Sequence, residues 1–147
     1  MRRRHYLRIA VIAAALLAVA PVAYGQSNEF RWHGVIAPGS AIEIKGVNGG
    51  IRAEAAAGNE VEVVADKRAR RDNPEDARID VVPHGDGVTI CAVYPSRDAS
   101  RPNECLPGKE GRMNVQNNDV TVNFTVRVPS GTSTRAPRAG GVSPAVR

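Results

Sequence analysis

Residues 120–128 read VTVNFTVRV. Val120, Val122, Phe124, Val126 and Val128 fall on one side of an extended chain, and Thr121, Asn123, Thr125 and Arg127 fall on the other. Apolar and polar residues alternating with a period of two mark a strand with one buried and one wet face. Pro129 ends the run, because proline has no N–H to give to a ladder.

Six weaker runs precede it. Phe30 and Trp32 alternate with Glu29, Arg31 and His33, and Ile42 and Ile44 with Glu43 and Lys45. Ile51, Ala53 and Ala55 alternate with Arg52 and Glu54, and Val61, Val63 and Ala65 with Glu62 and Asp66. Ile79 and Val81 alternate with Arg78 and Asp80. Val88, Ile90, Ala92 and Tyr94 share a face, leaving Thr89, Cys91 and Val93 opposite. Turn residues lie between the runs: Pro38-Gly39, Asn48-Gly49-Gly50, Gly58-Asn59 and Asp86-Gly87. Asn-Gly is the strongest short hairpin signal, since both residues tolerate positive φ. The fold expected is all-β, with short stacked strands in a β-solenoid-like or open-sandwich arrangement. Inward residues are mostly Val, Ile and Ala, which suit a narrow stack better than a roomy barrel.

Two stretches break the pattern. Residues 67–78, KRARRDNPEDAR, read as a loop with a short helical turn begun at Asn73, Pro74 taking the first helical position. Residues 95–118 form a second long polar loop, which carries Cys105.

The start of the chain reads as an address. Arg2, Arg3, Arg4 and Arg8 precede the apolar run IAVIAAALLAVA at residues 9–20, and Ala23-Tyr24-Gly25 supplies small residues for a peptidase. This is the secretory pattern, a leader helix over residues 1–25 cleaved between Gly25 and Gln26. The apolar core is shorter than a membrane span of about 20 residues. Residues 26–131 are then the β domain, and 132–147 a disordered tail of Arg, Pro, Gly, Ser, Thr and Ala. The expected compartment is periplasmic or extracellular, with no membrane attachment once the leader is removed.

Composition and charge exclude several classes. With 147 residues, 42% hydrophobic, 4% aromatic and 24% charged, the chain suits one modest domain, not a multidomain enzyme or a fibre. The net charge is +5, of which Arg2, Arg3, Arg4 and Arg8 supply four. Arg135, Arg138 and Arg147 supply three more, so residues 26–131 stand at −2. The basicity belongs to the two ends, and nucleic-acid binding, which needs a basic face on the folded domain, is not expected.

Cys91 and Cys105 are the two cysteines. In an oxidising compartment they make one disulfide, with Cys91 on the face away from Ile90, where it meets the outer loop. A zinc site would need His33 and His84, and neither has motif spacing to the cysteines.

The segments FRWHG (30–34), APG (37–39), IEIKGVNG (42–49), VEVVA (61–65), GVTICAVYP (87–95) and VNFTVRVP (122–129) together resemble a family of bacterial exported adhesin-like proteins of unknown function. The Val-Asn-Gly turn and ICAVYP are its more specific parts. The resemblance implies an exported β-repeat protein, β-solenoid-like, with no established activity and no catalytic residues to carry over. Such proteins continue after the Val-Pro-x-Gly step with further strands, whereas here the tail follows, as though C-terminal repeats were missing.

Each candidate for chemistry has a plainer reading. His33 and His84 read as surface histidines. Asn117-Asn118-Asp119 lacks the spaced acids of a calcium loop and reads as a turn. Lys67, Arg68, Arg70 and Arg71 are interleaved with Asp66, Asp72, Glu75 and Asp76 and read as a solvated loop. Asn123-Phe124-Thr125 is a glycosylation sequon in mid-strand. Glu60 and Glu62 share a face but have no cleft. There is no GxSxG, P-loop or GxGxxG. No cofactor or metal is expected. The function expected is a non-catalytic binding or structural module, with envelope polymers as partners or self-association through an exposed sheet edge. The alternatives are a small enzyme acting on envelope polysaccharide and a disulfide-stapled periplasmic inhibitor.

Overall fold

A computed structural model describes residues 28–135; the leader, its Gly25–Gln26 cleavage point and residues 136–147 lie outside the described residues. The described chain is built from strands: β1 (Glu29–Gly34), β2 (Ala41–Lys45), β3 (Ile51–Ala55), β4 (Val61–Arg68), β5 (Arg78–His84), β6 (Gly87–Val93), β7 (Thr121–Val128) and β8 (Ser133–Arg135). The all-β expectation holds. A 3-10 turn over Pro74–Asp76 interrupts them, and the Asn73 side chain accepts from the Glu75 N–H at 3.0 Å, as a cap does.

The strands form two mixed four-stranded sheets, ordered β1-β4-β7-β3 and β5-β6-β2-β8. Neither closes into a barrel. The alternation explains how they stack. Val61, Val63 and Ala65 of β4, and Val122, Phe124 and Val126 of β7, turn inward from the first sheet. They share one buried cluster with Ile42 and Ile44 of β2 and Ile90 and Ala92 of β6 from the second. Phe30 and Trp32 of β1 pack on its margin. Burying an aliphatic side chain of this size contributes about 1.5–3 kcal/mol, so this shared layer is the main apolar source of stability.

Three features depart from the sequence expectations. Asn48-Gly49-Gly50 does not make a hairpin, because β2 and β3 lie in different sheets. Gly49, at φ +116°, lies so close to β7 that a Cβ would collide with the Val122 carbonyl oxygen. Val122 N donates to Asn48 O at 2.9 Å, and β3 then runs parallel to β7, with Ile51 opposite Phe124. The positive φ that favours a tight hairpin here carries the chain across the core instead.

Second, β4 outruns its apolar residues. Lys67 takes the next inward position and is only 6% exposed, its Nζ meeting Glu75 at 2.9 Å. The alkyl stem packs while the ammonium reaches the carboxylate. Third, Ser133–Arg135, at the start of the expected tail, form a strand parallel to β2, Ala41 opposite Ser133 and Glu43 opposite Arg135.

Candidate functional site

The outer face of the second sheet carries the site. In β6 every residue from Thr89 to Val93 is buried, on both faces. The inner face is covered by the first sheet and the outer face by residues 94–118. That polar loop therefore forms a third layer. Cys91 and Cys105 pair, Cα to Cα 5.7 Å, and form a second small core with Val93, flanked by Val82 and Met113. Both cysteines and their placement match the expectation.

Polar groups hold the rest of the loop. Asn103, 8% exposed, donates from Nδ2 to Tyr94 O at 2.8 Å and Asn114 O at 3.0 Å, and its Oδ1 accepts from Asn114 N at 2.7 Å. Glu104 and Arg112 exchange backbone hydrogen bonds of 2.8 and 3.1 Å. Lys45 Nζ donates to the carbonyls of Leu106 (2.5 Å), Gly108 (2.6 Å) and Glu110 (3.2 Å). Three carbonyls satisfy all three protons of an ammonium. Beside it, Glu43 Oε2 accepts from Gly108 N and from Thr89 Oγ1, each at 2.9 Å, and lies 3.9 Å from Lys45 Nζ. His84 Nε2 lies 3.1 Å from Thr89 Oγ1. A cleft of about 340 Å³ opens next to this cluster, lined by Glu43, His84, Asp86, Pro107, Gly108 and Arg135 among others.

The order of these bonds decides what the cluster does. A nucleophilic hydroxyl gives its proton to a base and faces the substrate. Thr89 is fully buried, and its proton goes to Glu43, so His84 Nε2 is its donor, not its base. The chain His84–Thr89–Glu43–Lys45 runs into the loop and fixes it over the sheet. Sequence reading placed Glu43 and Lys45 on a wet face and took His84 for a surface histidine. The loop that desolvates them is mostly polar and reads as solvated. Thr89, on the same face as Cys91, was the one available hint.

The outer face of the first sheet carries a ladder of opposite charges over all four strands. Arg31 Nε lies 2.7 Å from Glu29, and Arg31 Nη1 lies 3.2 Å from Glu62. Arg127 Nη1 meets Glu62 at 2.6 Å, and its Nε meets Glu54 at 3.3 Å. Arg52 Nε meets Glu54 at 3.0 Å. The Arg127 hydrogen bond, aided by the charges of Arg127 and Arg31, holds the Glu62 carboxyl below the usual carboxylate range against the opposing cost of burial. A carboxylate so held is a poor proton donor near neutrality. Glu60 is exposed and lies outside β4.

Most of the remaining candidates are held by contacts within the fold. Asp119 accepts from the backbone N–H groups of Arg71 and Asp72, both at 3.1 Å, and its own N–H donates to Asp72 at 2.7 Å. Those bonds, the Asp72 N–H foremost, pull its carboxyl below the ordinary value. Asn118 Oδ1 accepts from Val120 N at 3.0 Å, and Asn117 has φ +52°, so this tripeptide is a turn. In the basic loop Lys67 pairs with Glu75, Arg68 with Asp66 and Arg71 with Asp119. His33 is exposed on β1. Asn123 of the sequon accepts from Gly50 N at 3.0 Å. Among the described residues no three His, Cys, Asp or Glu side chains are grouped to hold a metal ion. Comparison with protein families, curated proteins and solved structures found no match for this chain.

Proposed function

We propose that this chain is an exported, non-catalytic β-repeat protein, an adhesin-like binding or structural module associated with the cell envelope. The observation that carries the reading is the seat of β8. Ser133 follows Pro129-Ser130-Gly131-Thr132 much as Ala41 follows Pro38-Gly39-Ser40, and the two strands lie parallel and in register. The turn and strand that open β2 thus recur after β7 and stack on their earlier counterpart, as successive units of a repeat do. The leader-like residues 1–25 and the paired cysteines support an oxidising destination outside the cytoplasm. The His84–Thr89–Glu43–Lys45 cluster supports a module in which polar groups secure a covering loop.

The test is sedimentation with isolated cell-wall polysaccharide. The purified chain is expected in the pellet, with no new reducing ends in the supernatant. Release of reducing ends would overturn the reading in favour of a polysaccharide-acting enzyme. A stoichiometric protein partner, with no pelleting, would overturn it in favour of an inhibitor. Mass spectrometry of the exported product is expected to begin at Gln26 and to show no free thiol; a product retaining Arg8 would contradict export by a cleaved leader.

A further inference from the structure

We infer that the chain forms a two-fold dimer by antiparallel pairing of β3 with β3 of a second copy, centred on Ala53. The inference rests on the non-catalytic module proposed above, takes up the self-association through a sheet edge expected from the sequence, and specifies its edge, register and symmetry.

Among the described residues, β3 is paired on one side only, with β7. Phe124 N donates to Gly50 O at 2.8 Å, and Ala56 N donates to Val128 O at 2.9 Å. In a parallel ladder a residue turns both its N–H and its C=O to the same neighbour, and alternate residues turn theirs the other way. Gly50, Arg52, Glu54 and Ala56 therefore face β7, and the N–H and C=O of Ile51, Ala53 and Ala55 point off the edge. These are the groups that a two-fold pair centred on Ala53 requires. Ala53 exchanges both bonds with its mate, and Ile51 exchanges both with Ala55 of the other copy.

The side chains agree with that register. Arg52, with 78% of its side chain exposed, and Glu54 both lie on the outer face. The symmetry sets Arg52 opposite Glu54 of the second copy, and Glu54 opposite its Arg52, a mutual pair of opposite charges. The charge ladder already running from Glu29 to Arg52 would continue across the axis without a break. Centring the pair one residue away, on Arg52 or on Glu54, would set a charge against itself.

The other edges are less suited. β5 carries Pro83, which has no N–H to give. β8 has three residues. On β1 a two-fold centred on Arg31 would oppose that guanidinium to itself, and one centred on Trp32 would oppose it to His33. β3 has no proline, and two of the three residues along its bonding edge are alanines.

The experiment is light scattering on the full chain as purified from its expressing cell, at about 100 µM, where any dimer with a micromolar Kd is populated. Twice the chain mass is expected. Arg52→Glu sets like charges opposite at both ends of the pairing and is expected to weaken the dimer at least about tenfold; Glu54→Arg is expected to do the same. Mixing the two variants restores both opposite pairs and is expected to recover a dimer containing one chain of each. Ala53→Pro removes an N–H that β7 does not use and is expected to give a folded monomer by circular dichroism. A wild-type monomer, filaments in place of a closed dimer, or variants that dimerise alone as well as mixed would each overturn the inference. Pelleting with cell-wall polysaccharide is measured separately, so a monomer that still pellets refutes the β3 pairing alone.

Discussion

Removing the Cys91–Cys105 bond tests whether residues 94–118 are a stapled third layer. The bond closes a ring over a sequence separation of 14, and the chain-entropy estimate for such a ring is about 3 kcal/mol. In a domain of this size each kcal/mol moves Tm by about 4–8 °C, so the Cys91→Ala/Cys105→Ala variant is expected to melt about 12–24 °C lower. The polar anchors act on the same loop. Lys45→Met removes the ammonium that holds the Leu106, Gly108 and Glu110 carbonyls, and a hydrogen bond to a charged group contributes about 1.5–3 kcal/mol net. We expect Lys45→Met to cost about 2 kcal/mol and to be non-additive with loss of the disulfide, since both changes release one segment. The assay is thermal melting and urea denaturation of the four proteins, with amide exchange across residues 104–112. Two results would refute the reasoning: a Tm within about 2 °C of wild type for the cysteine variant, or loop amides as protected without the bond as with it.

Other perturbations follow from single contacts. Gly49→Ala puts a methyl group against the Val122 carbonyl at positive φ and is expected to cost well over about 1 kcal/mol, where Gly58→Ala, in open space, changes little; denaturant midpoints decide. Tyr94 is buried, which raises its hydroxyl above the ordinary 10.0. The unfolded chain loses that proton first, so stability is intact below pH 10 and falls as pH climbs toward the folded value; Tyr94→Phe is expected to flatten this alkaline loss in pH-dependent melting. Asp119 is shifted the other way, so its contribution is present above the ordinary carboxylate range and disappears as pH falls through the folded value; Asp119→Asn is expected to be less stable at pH 7 and less sensitive to acid.

The strands were legible because one face of each is apolar and the other is wet. β7 and β4 show this most clearly, and the 3-10 turn at Pro74–Asp76 announced itself through Asn73 and Pro74. What alternation does not encode is which strand lies beside which. Asn48-Gly49-Gly50 carries the same residues whether it reverses the chain or passes it to the other sheet, and the Val122 backbone that decides between them is distant in sequence. The covering loop was illegible for a related reason. Its hold on the sheet comes from Lys45, Glu43, Thr89 and Asn103, whose polarity reads as exposure until their partners are known. Lys67 misleads in the same way, since a charged residue at an inward position looks like the end of a strand.

The place of β7 between β4 and β3 governs how the molecule can come into being. Those two strands are not paired with each other, so without residues 121–128 the first sheet lacks the member that joins them. Before residues 121–128 are in place, the valines of β4 lack the strand that pairs with them and brings Phe124 into the core. The first sheet therefore closes only with β7, and the long-range pairings on both sides of that strand form together.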